Sequence, residues 1–546
     1  MPIARLLVAN RGEIAVRVLR TCRSLGIETV AVVAPDDGGS LHARAADHVV
    51  EIASYLHSEE HVRAAHTSGA DAVHPGYGFL AESPDFAEAV ESAALTWVGP
   101  PPGALRLGGD KLAAKRVARE AGVPVLPDGA PEEIGFPLVV KAAAGGGGRG
   151  MRVVRSAAAL EDALAAAERE AKGAFGDGTL YCERYLERPR HVEVQLLADA
   201  HGDVVALGER DCSVQRRHQK VLEEAPAPRL APELRSRLLD AAVAFGRAVG
   251  YRSAGTVEFV VEDGEPYFLE LNGRIQVEHP VTEAVTGLDL VAEQLRIADG
   301  EPLGTDRHEA PAGHAVEVRL YAEDPRTFLP QAGRIERLRL PRGDTSRRDG
   351  VRVDAGVEEG DEIGLAYDPL LAKLIAHGRD RAHALELLRA ALAETEVRGV
   401  TTNLPFLRWL VDHPVVRAGE ATTAFLVDHP ALSQFPLARP PGPWREPWRL
   451  NLPAPPPAPP PDVDAESHRH AAAHAESAVT APMPGTVVRV EVEPGDTVAA
   501  RGSLVVLEAM KMEIPVHSPF EATVTAVHVA PGDQVAGGTL LVELEG

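Results

Sequence analysis

Cysteine is nearly missing from this chain: Cys22, Cys182 and Cys212 are the only three in 546 residues. They are too few and too widely spaced for a disulfide framework or a cysteine metal site, which fits a reducing cytoplasm. No apolar run approaches the roughly 20 residues of a membrane span. The chain opens straight into Ile3-Ala4-Arg5-Leu6-Leu7-Val8-Ala9 with no signal-like or transit-like segment, so a cytoplasmic protein without membrane attachment is expected. Positive charge is also scarce. The 56 Lys and Arg against 80 Asp and Glu leave a formal net charge of −24, which argues against a partner such as nucleic acid or an anionic membrane. Aromatic residues are 4% of the chain, and no mechanism follows from that.

The length is too great for one core and suggests three to five domains. Strand and helix alternate through the first hundred residues. A short apolar run over 3–9 precedes the turn Asn10-Arg11-Gly12-Glu13, and Ala15, Val18, Leu19, Cys22 and Leu25 then form one helical stripe ending at Gly26. With a second strand over 29–34, this unit predicts a parallel α/β sheet. Hairpins mix with longer helices over 157–172 and 231–249, and short strands dominate from about 311, with a closing helix over 381–393. Prolines crowd between 437 and 463, culminating in Pro453-Ala454-Pro455-Pro456-Pro457-Ala458-Pro459-Pro460-Pro461. Such a segment packs no core. At about 3.1 Å per residue in polyproline II its ten densest residues reach roughly 30 Å, the behaviour of a tether. The predicted segments are 1–110, 111–310, 311–445, a linker over 446–477, and 478–546.

Three stretches carry chemistry. Between the apolar runs Leu138-Val139-Val140-Lys141 and Met151-Arg152-Val153-Val154 lies Gly145-Gly146-Gly147-Gly148-Arg149-Gly150. A dinucleotide loop must open into a helix. These glycines join two strand-like runs instead, so they read as a hairpin able to bring N–H groups to phosphate oxygens and to act as a lid, or as a plain surface loop. Farther on, Asp263-Gly264 is a strong hairpin turn. Folding there places Glu258 nearly opposite Glu270, with Asn272 on the same face. Facing carboxylates repel, so a shared proton or a cation is implied, and carboxylates with an amide oxygen suit a hard cation such as Mg²⁺. The bland alternative is a solvated charged face. Arg274, Gln276 and Glu278 continue the same side, and the basic run Glu209 to Lys220 stands out in an acidic chain.

Residues 481–508 align with 518–545 without a gap, and each copy carries Pro-Gly-Asp followed by alternating apolar residues. Two such copies are expected to pack face to face. The joining segment Glu508-Ala509-Met510-Lys511-Met512-Glu513 would then be an exposed hairpin displaying Lys511.

The displayed lysine, with Pro482-Met483-Pro484 upstream, resembles the biotinyl domain of biotin-dependent carboxylases. Lipoyl domains share the duplicated fold but usually frame their lysine differently. Residues 1 to about 445 resemble biotin carboxylase, an ATP-grasp enzyme, through Asn10 to Ala15, His74-Pro75-Gly76-Tyr77-Gly78-Phe79-Leu80, Gly109-Asp110-Lys111, the glycine-rich hairpin, Arg216-Arg217-His218-Gln219-Lys220 and Arg274 to Glu283. The whole resembles the α subunit of a bacterial acyl-CoA carboxylase.

The resemblance implies a multidomain α/β and α+β fold: a Rossmann-like N-terminal α/β domain, an ATP-grasp domain, a mixed β-rich C-terminal domain and a small all-β biotinyl barrel-sandwich. It implies ATP, bicarbonate, Mg²⁺ or Mn²⁺, and biotin on Lys511. Lys111, Lys141 and His218 would neutralise ATP phosphates under Gly147 and Gly148. Glu183, Arg184, Tyr185 and Leu186 with His191 would hold adenine and ribose, and Gln215 would join the nucleotide site. Glu258, Glu270 and Asn272 would bind the metal. Lys220 would bind bicarbonate, Glu278 would remove its proton, and Arg274 with the Val277 backbone would orient it. Arg352 would stabilise charge on the biotin ureido group, with Tyr77 against biotin. Two departures, Gly273 for a common threonine and Ala144 for a common glycine, bear on local geometry. A separate carboxyltransferase β subunit, a biotin protein ligase and a hetero-oligomer are implied as partners, with acetyl- or propionyl-CoA as the acyl acceptor. Two rivals remain, another ATP-grasp ligase with a lipoyl-type carrier and a non-catalytic biotin carrier.

Overall fold

Alternating strand and helix in the first hundred residues build a parallel five-stranded sheet in the order β3-β2-β1-β4-β5. Its strands are β1 Arg5–Val8, β2 Glu28–Val33, β3 His48–Glu51, β4 Ala72–His74 and β5 Thr96–Trp97. The computed structural model describes residues 2–143, 151–175, 177–216, 219–304, 311–341, 350–430, 478–481, 485–500, 502–509, 512–535 and 539–545. Helix α1, Gly12–Leu25, ends at Gly26, whose φ of 73° is the left-handed conformation that glycine adopts without Cβ strain. Its stripe Ile14, Ala15, Val18, Leu19 and Cys22 is buried against β1, but Leu25, expected to close the stripe, is 49% exposed. The last turn of the helix has already passed the edge of the core.

The chain separates into two compact units, residues 1–363 with 369–435, and residues 364–368 with 436–546. In the first, β6 Leu138–Ala142 pairs antiparallel with β7 Arg152–Val154 and β8 Leu180–Arg184. The glycine-rich run is thus flanked by two paired strands, as expected, while residues 144–150 lie outside the described residues.

The larger sheet has eight strands in the order β13-β12-β9-β10-β11-β14, then Leu370–Gly378 and Gly350–Ala355. The first six are β9 Arg190–Ala198, β10 Val204–Arg216, β11 Gln219–Ala225, β12 Ser253–Glu262, β13 Glu265–Asn272 and β14 His314–Tyr321. β11 pairs with β14 from Leu222↔Val318 to Ala225↔Ala315. One sheet therefore crosses the expected 310/311 boundary. The long helices form close to the expected places, at Leu160–Phe175 after a 3₁₀ turn, Pro232–Ala248 and Arg381–Glu394. Among the described residues no helix is long and apolar enough to cross a membrane.

In the C-terminal unit the internal repeat becomes structural. Gly485–Val490, Thr497–Val498 and Ser503–Ala509 of the first copy correspond to Ala522–Val527, Gln534–Val535 and Leu540–Glu545 of the second. The copies do not stack as separate sheets. Each four-stranded sheet mixes the copies: one runs 478–480, 540–545, 522–527, 497–498, with two strands of the second copy, one of the first and the strand just before it, and the other runs 512–517, 503–509, 485–490, 534–535, with two strands of the first copy, one of the second and the strand between them. Exchange of strands lets each copy satisfy edges that it could not close alone. Equivalent residues then meet in one core: Val487 with Val524, Leu504 with Leu541, Leu507 with Leu544. Leu504→Ala and Leu541→Ala should each cost this unit about 2–5 kcal/mol, by similar amounts. In calorimetry of the whole chain one transition should move while the larger unit's transition stays. Unequal costs would contradict the shared core.

Candidate active site

A row of charge crosses four strands of the large sheet. The register pairs Arg210 with Glu193, Glu193 with Glu258, and Glu258 with Glu270. A plain Asp263-Gly264 hairpin would leave the last two out of step, but the ladder shifts by one residue between Glu258 and Phe259 and brings them opposite. Three carboxylates side by side repel, and two cations hold Glu193 and Glu258. Arg210, fully buried, donates from Nε to Glu193 at 2.5 Å and from its other nitrogens to Gln195, Thr256, Gln276 and Thr282. Lys220 Nζ reaches Glu193 at 2.6 Å, Glu258 at 2.7 Å and Glu278 at 2.6 Å.

Burial works against the Lys220 ammonium, yet Glu193, Glu258 and Glu278 more than offset it and hold its pKa well above the ordinary value. Burial likewise opposes ionisation of Glu258 and Glu278. Lys220 and His191 hold Glu258 well below the usual carboxylate range, and Lys220, Arg319 and Arg210 do the same for Glu278. Glu270 lacks such support, and burial together with Glu258 pushes it up.

Glu258 is fully engaged. Its Oε1 accepts from Lys220, Asn272 at 2.8 Å and Gln276 at 2.9 Å, while Oε2 meets His191 Nε2 at 2.7 Å. Asn272 and Gln276 thus join the cluster as expected. Arg274 donates to Asn272 Oδ1 at 3.0 Å, and its Nε lies 3.2 Å from Glu82. Two opposed carboxylates, Glu258 buried and Glu270 half-buried and resisting ionisation, with an amide alongside, fit a hard dication. His191, Glu193 and Cys212 also bring ligand atoms within 4.8 Å of one another. Their carboxylate is already taken by Arg210 and Lys220, which makes that trio a poor metal site.

On the three-stranded sheet, Lys141 and Lys115 both bond the buried carboxylate of Glu183. Burial pushes Glu183 up, but the two ammonium groups outweigh it and keep the acid below its usual range. That side chain serves the lysines, so only the backbone of Glu183 is left for a ligand. Leu186 is buried, Arg184 exposed, and Tyr185 stacks under Arg155 at 5.9 Å. Lys111 opens the helix Lys111–Glu120, capped by Asp110, and burial lowers its pKa against the pull of Glu270. Gln215 donates to Cys212 O at 2.9 Å. His191 sits on Glu258 rather than with the Glu183 to Leu186 strand end. Gly147, Gly148, His218 and Lys511 fall outside the described residues. The ladder around Lys511 closes with Ala509↔Met512.

The Asn10-Arg11-Gly12-Glu13 turn holds the neighbouring loop. Asn10 Nδ2 donates to Pro75 O and Tyr77 O, both at 2.8 Å, and Tyr77 OH donates to Glu13. Gly76, at φ 63°, is required here because a Cβ would stand 2.9 Å from Asn10 Nδ2. Glu13 pairs with Lys373 at 3.0 Å, and Lys373 donates to Val277 O at 2.8 Å. Tyr77 is thereby connected to the Arg274–Glu278 segment. At the unusual Gly273 a Cβ would meet Leu105 Cδ2 at 2.7 Å, so glycine and Leu105 fit together.

Arg352 is held by two carboxylates of its own. It bonds Asp354 and, at 2.7 Å, Glu283. The arginine on Glu278 is Arg319 of β14, with Nη2 3.0 Å from Glu278 and 2.6 Å from Glu223. Sequence reasoning missed Arg319 and Glu193, and took Arg210 only as part of the basic run Glu209 to Lys220, not as the buried partner of Glu193. Glu193 follows His191 by two on one strand face, and Arg319 ends the alternating run Ala315-Val316-Glu317-Val318-Arg319, signals that period-2 reading could have used.

Four family models match in succession: "Biotin carboxylase, N-terminal domain" over 2–105, "Carbamoyl-phosphate synthase L chain, ATP binding domain" over 110–306, "Biotin carboxylase C-terminal domain" over 317–428 and "Biotin-requiring enzyme" over 477–544. The biotin-dependent acyl-coenzyme A carboxylase alpha3 subunit of Mycobacterium leprae is 41% identical, with 94% of both chains covered. The chain belongs to the biotin-dependent carboxylase family. It is 47% identical to the mitochondrial methylcrotonoyl-CoA carboxylase subunit alpha of Arabidopsis thaliana, covering 78% of this chain and 61% of the relative. It thus spans about 60% of the length of the plant α subunits that it matches. The biotin carboxylase domain of the Hydrogenobacter thermophilus 2-oxoglutarate carboxylase, solved with MgADP, ADP and bicarbonate, superposes with a TM-score of 0.77 at 42% identity, covering 80% of this chain and all of that one.

Replacing Lys220 with Met would leave Glu193, Glu258 and Glu278 without their shared cation, a loss of about 3–5 kcal/mol for a broken buried ion cluster. Glu258 and Glu278 would lose the strongest of the charges that hold their pKa values down, so both would rise in the folded variant. The variant should therefore regain stability as pH falls and be weakest at alkaline pH. Urea unfolding at several pH values checks this, and a pH-independent deficit would contradict it.

Proposed function

We propose that this chain carboxylates biotin carried on its own Lys511, using ATP and bicarbonate, and serves as the α subunit of an acyl-CoA carboxylase. The observation that carries the reading is the Lys220 clasp on Glu193, Glu258 and Glu278, with Arg319 on the outer oxygen of Glu278. A bicarbonate ion drawn to Lys220 and Arg274 would take Lys220 away from Glu278. The carboxylate then loses its nearest cation, its proton affinity rises, and it becomes a competent base for the bicarbonate proton. The freed oxygen attacks the γ-phosphorus of ATP, giving carboxyphosphate and ADP. Lys111 and Lys141, with His218, would face the phosphates. Glu258, Glu270 and Asn272 would hold Mg²⁺ or Mn²⁺, which supplies neutralisation of phosphate charge. Biotin supplies the ureido nitrogen that accepts the carboxyl group.

Arg319, already on Glu278, replaces Arg352 as our candidate for the group that meets negative charge at the ureido oxygen. The remaining assignments, Gln215, Val277 and Tyr77 among them, stay as the family resemblance implies. A separate carboxyltransferase subunit would complete the reaction and a biotin protein ligase would load Lys511. Relatives named as α subunits support such a partner. The match along 94% of both chains to an acyl-CoA carboxylase subunit, against 61% of a methylcrotonoyl-CoA carboxylase subunit, supports a compact carrier. Our preference for acetyl- or propionyl-CoA rests on that compactness. The free, buried cysteines accord with the cytoplasm.

Arg319→Ala and Glu278→Ala should each lower free-biotin carboxylation by about 10²–10³, the usual cost of losing a preorganised charged partner. Arg352→Ala should cost far less, and the reverse order would restore Arg352. Lys511→Ala should abolish biotinylation, read by avidin binding, and acyl-CoA carboxylation with added carboxyltransferase, yet spare free-biotin turnover. Parallel loss of free-biotin turnover in a folded protein would refute the division into catalyst and carrier.

A further inference from the structure

Behind Arg319 lie two acids that no step above uses. Glu223 of β11 and Glu317 of β14 are direct cross-strand partners, and both are 0% exposed. All four of their carboxyl oxygens are buried without a hydrogen bond. Arg319 Nη2 stands 2.6 Å from Glu223 Oε1, an ion contact without hydrogen-bond alignment. The same nitrogen donates to Glu278, while Arg319 Nε is buried with no acceptor.

We propose that Glu223 and Glu317 share one proton, and that this acid pair positions Arg319 against Glu278. Two carboxylates facing each other on adjacent strands, both out of water, cannot both stay ionised without strong compensation. The cations that face them are committed elsewhere: Lys220 of β11 to three other carboxylates, and Lys373 to Glu13 and the Val277 carbonyl. Also facing the pair are Cys212 of β10, whose thiol burial keeps neutral, Arg319 of β14, and Glu278 at the head of the helix His279–Thr286. Burial pushes Glu223 up to about 7 despite Arg319, and pushes Glu317 well above the ordinary range despite Lys373.

One proton between the acids leaves a single negative charge behind Arg319. That charge orients the guanidinium and leaves its outer edge to Glu278 and the substrate. Loss of the proton would put a second anion behind Arg319 and draw it inward, away from Glu278. Both acids are positioning residues. The proposal rests on the carboxylase reading for its kinetic consequence, although the shared proton itself can be seen without turnover.

The test uses the full chain. Infrared spectra at neutral pH should show a protonated-carboxyl C=O band that shifts on ¹³C-glutamate labelling and disappears in Glu317→Gln. Persistence of the band in Glu317→Gln, or its absence from the wild type, would overturn the shared proton. In free-biotin carboxylation, Glu317→Ala should lower kcat ~10-fold or more with the KM for ATP little changed. Glu317→Gln, which copies the protonated acid in size and hydrogen bonding, should stay within ~3-fold of wild type. The wild-type kcat should fall at alkaline pH as the shared proton leaves. This limb should vanish in Glu317→Gln, where one carboxylate faces a neutral amide. Equal losses in the Ala and Gln variants, or an unchanged alkaline limb, would sink the positioning role. A band that behaves as described in a chain inactive towards biotin would uphold the proton pair and count against the carboxylase reading alone.

Discussion

Everything around the large sheet depends on one buried ammonium group held by three carboxylates. Lys220 comes from β11, Glu193 from β9, Glu258 from β12 and Glu278 from the segment entering a helix, so the clasp ties four separate pieces of chain at one point. Such a cluster is a costly way to gain stability, because each ion gives up its hydration. In the function proposed above its value lies in being exchangeable. A substrate anion would replace one carboxylate on Lys220, and a divalent cation would replace Lys220 on Glu258. Each exchange changes the proton affinity of the group left behind. The fully buried Arg210, bonded to Glu193, Gln195, Thr256, Gln276 and Thr282, gives that exchange a rigid floor.

The continuous sheet explains how distant segments reach this point. Pairing of β11 with β14, and of β14 with Leu370–Gly378, carries Arg319 and Lys373 side by side to the rear of the cluster. Lys373 then links the Val277 carbonyl to Glu13 and, through it, to Tyr77. An N-terminal turn thereby orients a loop some 260 residues downstream by way of one buried ion pair and the hydrogen bonds on either side of it, an arrangement that stacked independent domains could not offer.

The C-terminal unit solves a different problem. Each repeat copy is too short to build its own sheet, and two sheets that each draw on both copies enclose one core. Among the described residues, the buried core cluster of this unit consists of Val, Ala and Leu, with Phe520 packed against it.

The sequence by itself determined the features that depend on neighbours along the chain. It showed the parallel α/β start, the hairpin flanks of the glycine-rich run, the face shared by Glu258, Glu270 and Asn272, the repeat around Lys511 and the family resemblance. Periodicity and turn chemistry act locally, so these were legible. The one-residue shift beside Glu258, the shared sheet across residue 310 and the strand exchange between repeats were decided by tertiary pairing. So was which arginine meets Glu278. Arg319 and Arg352 both lie on strands beside charged residues, and only the stacking of β14 against β11 puts Arg319 on Glu278 while Arg352 turns to Asp354 and Glu283. Which cation meets which carboxylate depends on distances between strands far apart in sequence, and no local pattern encodes them.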